Sequence, residues 1–232
     1  MAEATFTDTF TNRKQLRLES GEADRLSART YNLALTGLLA YGLLLNAVIV
    51  YYFAYPLMNA LQGVSPWLLL AGYLVPTFLG IFLAAKSQNP AVSFVGYNLV
   101  VLPIGIMLSL VIPGLPAGIV VKAMALTGMV TVTMALISLV RPQLFLGLGR
   151  TLVIALVVGL VAELVATFLF GYRGQLFDWF FVLLFSGYIG YDVAKSQAYP
   201  KTLDNAVDSA LDIYLDVINL FIRLLSILSN RD

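Results

Sequence analysis

The sequence predicts an all-α integral membrane protein with seven transmembrane helices. Three observations carry this expectation. Hydrophobic residues make up 59% of the 232-residue chain and charged residues only 12%, whereas a soluble domain carries about 25% charged residues; mean hydropathy is +0.86. Seven apolar segments are long enough to cross roughly 30 Å of hydrocarbon, which takes about 20 helical residues each. The alternating apolar pattern of barrel strands is missing, so helices must satisfy the backbone inside lipid.

Residues 1–29 form a polar tail with Arg13, Lys14, Arg17, Arg25 and Arg29. Charges run through this region, and the first apolar stretch is long and lacks a small-residue cleavage site. It therefore reads as a first span rather than a signal peptide. The membrane domain is expected over 30–228, with spans at about 30–54, 67–86, 91–112, 117–140, 145–170, 177–198 and 205–228. Short connections carry turn residues: Gly63, Ser65 and Pro66; Asn89 and Pro90; Pro113, Gly114 and Pro116; Arg141 and Pro142; Gly171 and Gly174; Pro200 and Lys201. Pro76 and Pro103 fall inside spans, where proline removes a backbone donor and favours a kink. No internal repeat indicates an inverted-repeat transporter.

Charge asymmetry sets the orientation. Ten of the 14 Lys and Arg residues fall on the side of the N-terminal tail: five in the tail, then Lys86, Arg141, Arg150, Lys195 and Lys201. Lys122, Arg173, Arg223 and Arg231 fall on the other. The basic side is expected to be cytoplasmic, and seven spans then place the C-terminus outside. Net charge is only +1, so no attraction for nucleic acid follows, and the lipid bilayer is the implied partner. The chain has no cysteine and no histidine. Disulfides, thiolate and imidazole metal sites, and Ser-His or Cys-His catalysis are excluded together. No cofactor is expected.

Asp192 and Asp216 lie inside the last two apolar stretches. A carboxylate in hydrocarbon costs several kcal/mol unless it is paired, protonated or hydrated, so both are functional candidates. They are 24 residues apart, with Asp204 at the midpoint and the Pro200–Lys201 turn close to it. A hairpin of spans 6 and 7 puts the two at similar depth. Two facing carboxylates cannot easily both ionise and would share one proton; alternatively, the two face different sides and each reaches cytoplasmic water. Span 7 also repeats aspartate every four residues, at Asp204, Asp208, Asp212 and Asp216, which keeps them on one slowly drifting face. Asp204 and Asp208 fit the first turns of a helix, where the dipole favours anions and Thr202 or Asp204 can cap. Asp212 is an auxiliary carboxylate. Glu163 and Arg223 both fall in the outer half of their spans, where an ion pair or independent snorkelling would serve. Lys122 is expected to snorkel at the outer surface.

The segments YDVAKSQ, ending span 6, and Tyr214-Leu215-Asp216-Val217-Ile218-Asn219-Leu220-Phe221 in span 7 resemble the transmembrane Bax inhibitor motif (Bax inhibitor-1 type) family. The resemblance is sharp over about forty residues and fits the rest in layout. It implies seven helices with the last one central and surrounded by the other six. It further implies a pH-sensitive calcium leak whose sensor would be Asp192 and Asp216, and a basic latch at the cytoplasmic end of span 2, which only Lys86 could supply. Calcium would be the transported ion, and a hard cation takes oxygen ligands, so Asp192 and Asp216 become weak calcium ligands as well. Lysine in place of the expected arginine gives a point contact rather than a fork. Lys122 stands about where an acidic residue is expected. No charged tail follows Asp232, and a bacterial cytoplasmic membrane is the expected setting.

Two other readings compete with a non-enzymatic leak. An intramembrane aspartyl protease also pairs Tyr-Asp in one span with an aspartate in the next. Here, however, Ile213-Tyr214-Leu215-Asp216 replaces the Gly-x-Gly-Asp of that class, and its Pro-Ala-Leu element is missing. A non-conducting adaptor or regulator that binds a membrane protease marks no interface in the sequence.

Overall fold

A computed structural model of the protein describes residues 17–18, 24–172 and 174–230. Arg13, Lys14, Arg173 and Arg231 lie outside the described residues. Eight α-helices and no strand occur among the described residues: α1 (Ala28–Ala60), α2 (Pro66–Lys86), α3 (Pro90–Val111), α4 (Ala117–Val140), α5 (Pro142–Leu146), α6 (Gly149–Phe170), α7 (Leu176–Ala198) and α8 (Leu203–Ser229). Their ends follow local chemistry. Ser27 caps α1 by accepting from the Thr30 amide, and Asn89 caps α3 by accepting from the Ala91 amide. Proline stands in the first turn of α2, α3 and α5, where its missing donor costs nothing. Gly171 ends α6 in the left-handed region at φ 64°, and the next amide, Tyr172, turns back to Ala166 O at 2.9 Å.

One expectation changes. The segment expected as one span over 145–170 is divided: α5 stops at Leu146, and α6 restarts at Gly149. Gly147 and Gly149 flank the break, and glycine is poor at holding a helix through such a position. Of the seven expected spans, six are matched by apolar length alone. Six helices, α1 to α4, α6 and α7, are long and apolar enough to cross a membrane. The last helix, α8, has 27 residues but carries Asp204, Asp208, Asp212, Asp216 and Arg223, which takes it out of that class.

At the two extremes burial runs opposite to hydropathy, as lipid as solvent favours. The most apolar stretch, in α6, has a mean hydropathy of 2.7 and only 11% of its residues buried inside the protein, whereas the least apolar of the six, in α7, has 1.3 and 56%. Val157, Val158, Val161 and Phe168 of α6 are exposed. In water such a face would be a severe aggregation hazard. The chain is an integral membrane protein.

The chain divides into two compact units, residues 1–114 with 196–211, and residues 115–195 with 212–232. In the first, α3 packs against both α1 and α2. Helices α2 and α3 approach closely at Gly80 and Gly96, where a Cβ on Gly96 would stand 2.5 Å from the Gly80 carbonyl oxygen. Tyr97, fully buried, donates to Leu38 O at 2.8 Å. At the α7–α8 connection Thr202 accepts from the Asn205 amide at 3.2 Å. Lys201 donates to Ser196 O at 3.1 Å and Gln197 O at 2.8 Å, closing the end of α7. Burial pushes the Lys201 ammonium below its ordinary pKa.

The second unit holds α4, α5, α6, most of α7 and α8 from Asp212 onward. Ser138 of α4 donates to Gly190 O of α7 at 2.6 Å. Gly190 leaves room for the Phe145 ring, and Gly149 leaves room for Tyr191, whose hydroxyl would lie 2.7 Å from an added Cβ. These contacts fix the stretch of α7 that carries Asp192.

Candidate functional site

Asp192 and Asp216 meet in the second unit. Their carboxyl groups lie close enough for each to feel the other, and both residues are buried, at 8% and 7% exposure. The connection Tyr199–Thr202 lies before Asp204, the midpoint that an evenly spaced hairpin demands, and the two side chains nevertheless reach each other. Asp216 Oδ2 is buried and finds no hydrogen-bond donor among the described residues. Two facing carboxyl groups can hydrogen-bond to each other only when one of them carries a proton.

One cation sits on this pair. Lys195 Nζ donates to Asp192 Oδ1 at 3.1 Å and to Asp212 Oδ2 at 3.4 Å. Its ammonium also stands 5.4 Å from the centre of the Tyr191 ring. Tyr188, one turn before Asp192, lies close enough to feel both carboxylates. The site thus gathers three carboxyls, one ammonium and two tyrosines from α7 and α8. Lys86, the residue the resemblance implies as latch, lies in the other unit with its ammonium 4.6 Å from the centre of the Phe82 ring. Sequence reasoning gives Lys195 no role, although three residues after Asp192 on a helix is the spacing at which a lysine returns to the same face. Among the described residues no group of three or more Asp or Glu is arranged to hold a metal ion.

The four-residue repeat on α8 resolves into four different settings. Asp204 accepts from Ser93 Oγ at 2.6 Å. Asp208 lies 3.7 Å from Arg17 Nε. Asp212 accepts from Lys195, and Asp216 meets Asp192. The reading of Asp204 and Asp208 as dipole-stabilised first-turn residues is therefore incomplete. Thr202 is the cap, and both aspartates are buried, Asp208 to 1% exposure, against partners that sequence spacing alone could not supply.

A second charged cluster occupies the same unit. Arg223 grips Glu163 with a fork, Nη1 to Oε1 at 2.5 Å and Nη2 to Oε2 at 2.8 Å. Its Nη1 also donates to Asp178 Oδ1 at 2.9 Å, while Ser226 donates to Asp178 Oδ2 at 2.8 Å. The guanidinium lies 4.3 Å from the centre of the Phe181 ring. Sequence reasoning pairs Glu163 with Arg223 and misses Asp178, which has the look of an ordinary first-turn acid of α7. The cluster joins α6, α7 and α8 with every carboxylate oxygen engaged, an arrangement suited to holding helices together.

Comparison with known proteins agrees with this layout. A family profile described as Bax1-I, inhibitor of apoptosis-promoting Bax1, matches residues 25–232. Two Helicobacter pylori proteins, each described as uncharacterized, are 34% and 33% identical to the chain over 131 residues. The alignment covers 54% of this chain and 56% of each relative, so the chain spans about half the length of the curated relatives it matches. No solved structure matches at a significant level.

Proposed function

The chain belongs to the Bax1-I family of membrane proteins, and on that premise we propose that it is a pH-sensitive cation leak, with calcium as the transported ion, gated by a proton shared between Asp192 and Asp216. The family is generally not classed among enzymes. The observation that carries the reading is the buried contact of the two carboxyl groups beside Lys195. While one proton is shared, the contact ties α7 to α8. Loss of that proton leaves two negative charges at hydrogen-bond distance, a repulsion on the order of several kcal/mol at an effective dielectric near 20. That is comparable to the roughly 5.5 kcal/mol needed to invert a two-state population. A divalent cation offsets the same repulsion as it passes, which is why calcium suits the pair as cargo.

Lys195 takes the latch role in this proposal, since its ammonium bonds Asp192 and Asp212 together. The last helix is the seventh crossing and the central one, a place supported by burial along almost its whole length. The N-terminus is cytoplasmic and the C-terminus outside, in keeping with the distribution of Lys and Arg. The test is calcium flux into proteoliposomes across pH 6 to 8. Asp192→Asn and Asp216→Asn should each abolish the pH dependence; unchanged flux with an unchanged pH response in both variants would refute the sensor.

A further inference from the structure

We propose that Arg17 is a plug: its guanidinium fills a built socket at the start of α8, where it blocks aqueous access to Asp208. The socket belongs entirely to the first unit. Arg17 is only 4% exposed, which is rare for arginine and requires dedicated partners. Its Nε donates to Asn205 Oδ1 at 3.3 Å, and its Nη2 donates to Ser209 Oγ at 2.6 Å and Asn205 O at 3.4 Å. Asp208 supplies the countercharge at 3.7 Å, and the guanidinium lies 4.2 Å from the centre of the Tyr199 ring. A carboxylate, an aromatic face and a set of acceptors together match what a planar, weakly hydrated guanidinium prefers and an ammonium does not.

Arg17 and Leu26 are also held through backbone groups. Asn205 Nδ2 donates to the Arg17 carbonyl at 3.0 Å, and the Leu26 amide donates to Lys201 O at 2.6 Å. The floor of the socket is pinned by Tyr31, fully buried, whose hydroxyl lies 3.2 Å from Ser209 Oγ and donates to Ser196 O at 3.0 Å. Asp208 is one helical turn from Asp204 and one from Asp212 along α8. The plug's effect on conduction rests on the leak reading; its effect on access does not.

The absence of cysteine makes both effects measurable. Ser209→Cys provides a single thiol in the socket, and the probe is a water-soluble positively charged methanethiosulfonate applied to the purified full chain. Labelling should be at least tenfold faster when Arg17→Ala is added. Free guanidinium at tens of millimolar, but not sodium at equal ionic strength, should slow it again. Arg17→Lys should fall between, since lysine keeps charge but not the fork. Equal labelling rates with and without Arg17 would overturn the plug. In proteoliposomes, Arg17→Ala should raise calcium flux several-fold, with guanidinium lowering it. A conducting wild type whose flux does not respond to Arg17→Ala overturns the blocking role. Protection of the thiol in a chain that conducts under no condition upholds the plug on access and overturns the leak reading instead.

Discussion

Lys195→Met separates the latch proposed above from the one the sequence resemblance implies. The ammonium lies 3.1 Å from Asp192 and 3.4 Å from Asp212. At an effective dielectric near 20 the gross attraction to each carboxylate is roughly 5 kcal/mol. Desolvation of the ions and the 24% exposure of the lysine side chain reduce this; removing one partner of a buried ion pair typically costs about 3–5 kcal/mol. With a further discount for partial exposure, about 1.5–3 kcal/mol is left to act on the proton shared by the aspartates. At about 1.4 kcal/mol per pH unit, the pH midpoint of flux should move by about 1 to 2 units. The sign follows from charge. Without the ammonium, the fully ionised pair is harder to form, the shared proton is held to higher pH, and the midpoint moves in the alkaline direction. The assay is calcium flux into proteoliposomes stepped through pH 5 to 9, with Lys86→Met as the companion. Lys86→Met should leave the midpoint in place. A fixed or acid-shifted midpoint in Lys195→Met, or a shift in Lys86→Met alone, would refute the assignment and return the latch to span 2.

The remaining expectations concern contacts and stability. Arg223→Met leaves half-buried Glu163 and buried Asp178 together without their cation and should cost about 2–3 kcal/mol, below the full cost of breaking a buried pair because Glu163 is partly exposed, seen as a fall in the thermal midpoint in detergent, while Glu163→Gln, which keeps the Arg223 bond to Asp178, should cost much less; equal effects would refute the shared-cation arrangement. Gly96→Ala forces a methyl against the Gly80 carbonyl and should cost about 1–3 kcal/mol by overpacking, whereas Gly128→Ala, where an added Cβ meets nothing within 4 Å, should not. A cysteine pair replacing Asp192 and Asp216 should crosslink under mild oxidation, since disulfide geometry demands Cα atoms within about 7 Å; persistent free thiols would refute the contact.

The legible part of this chain is whatever hydropathy and turn residues control. Six crossing helices lie where apolar runs and flanking Pro, Asn and Gly put them, because lipid leaves the backbone no alternative. The fifth apolar segment hides its break because Phe145 and Leu146 are as apolar as the helix beyond them; only the glycines at 147 and 149 signal it. The last helix is legible as a helix but not as an apolar one, since its aspartates are tolerated by burial within protein, which a hydropathy sum cannot see. Among the site residues, Asp192 and Asp216 stand out because charge is so costly there. Lys195 and Asp178 do not, because each sits near a helix end, where a charge ordinarily has a solvated explanation.

The four aspartates of α8 show why the bland explanation fails. A dipole effect predicts a gradient, with anions most comfortable in the first turn and progressively less so beyond it. The structure has instead a distinct partner at each step: a serine hydroxyl for Asp204, an arginine from the N-terminal segment for Asp208, a lysine for Asp212 and a second carboxyl for Asp216. Three of these can be satisfied as anions. Asp216 cannot, because it faces another acid. On the proposed reading the helix concentrates its dependence on protons at that residue, while hydrogen bonds and fixed cations hold the others. Replacing any of the first three should change how well α8 is held, and only replacement at the Asp192–Asp216 pair should remove the response to pH itself.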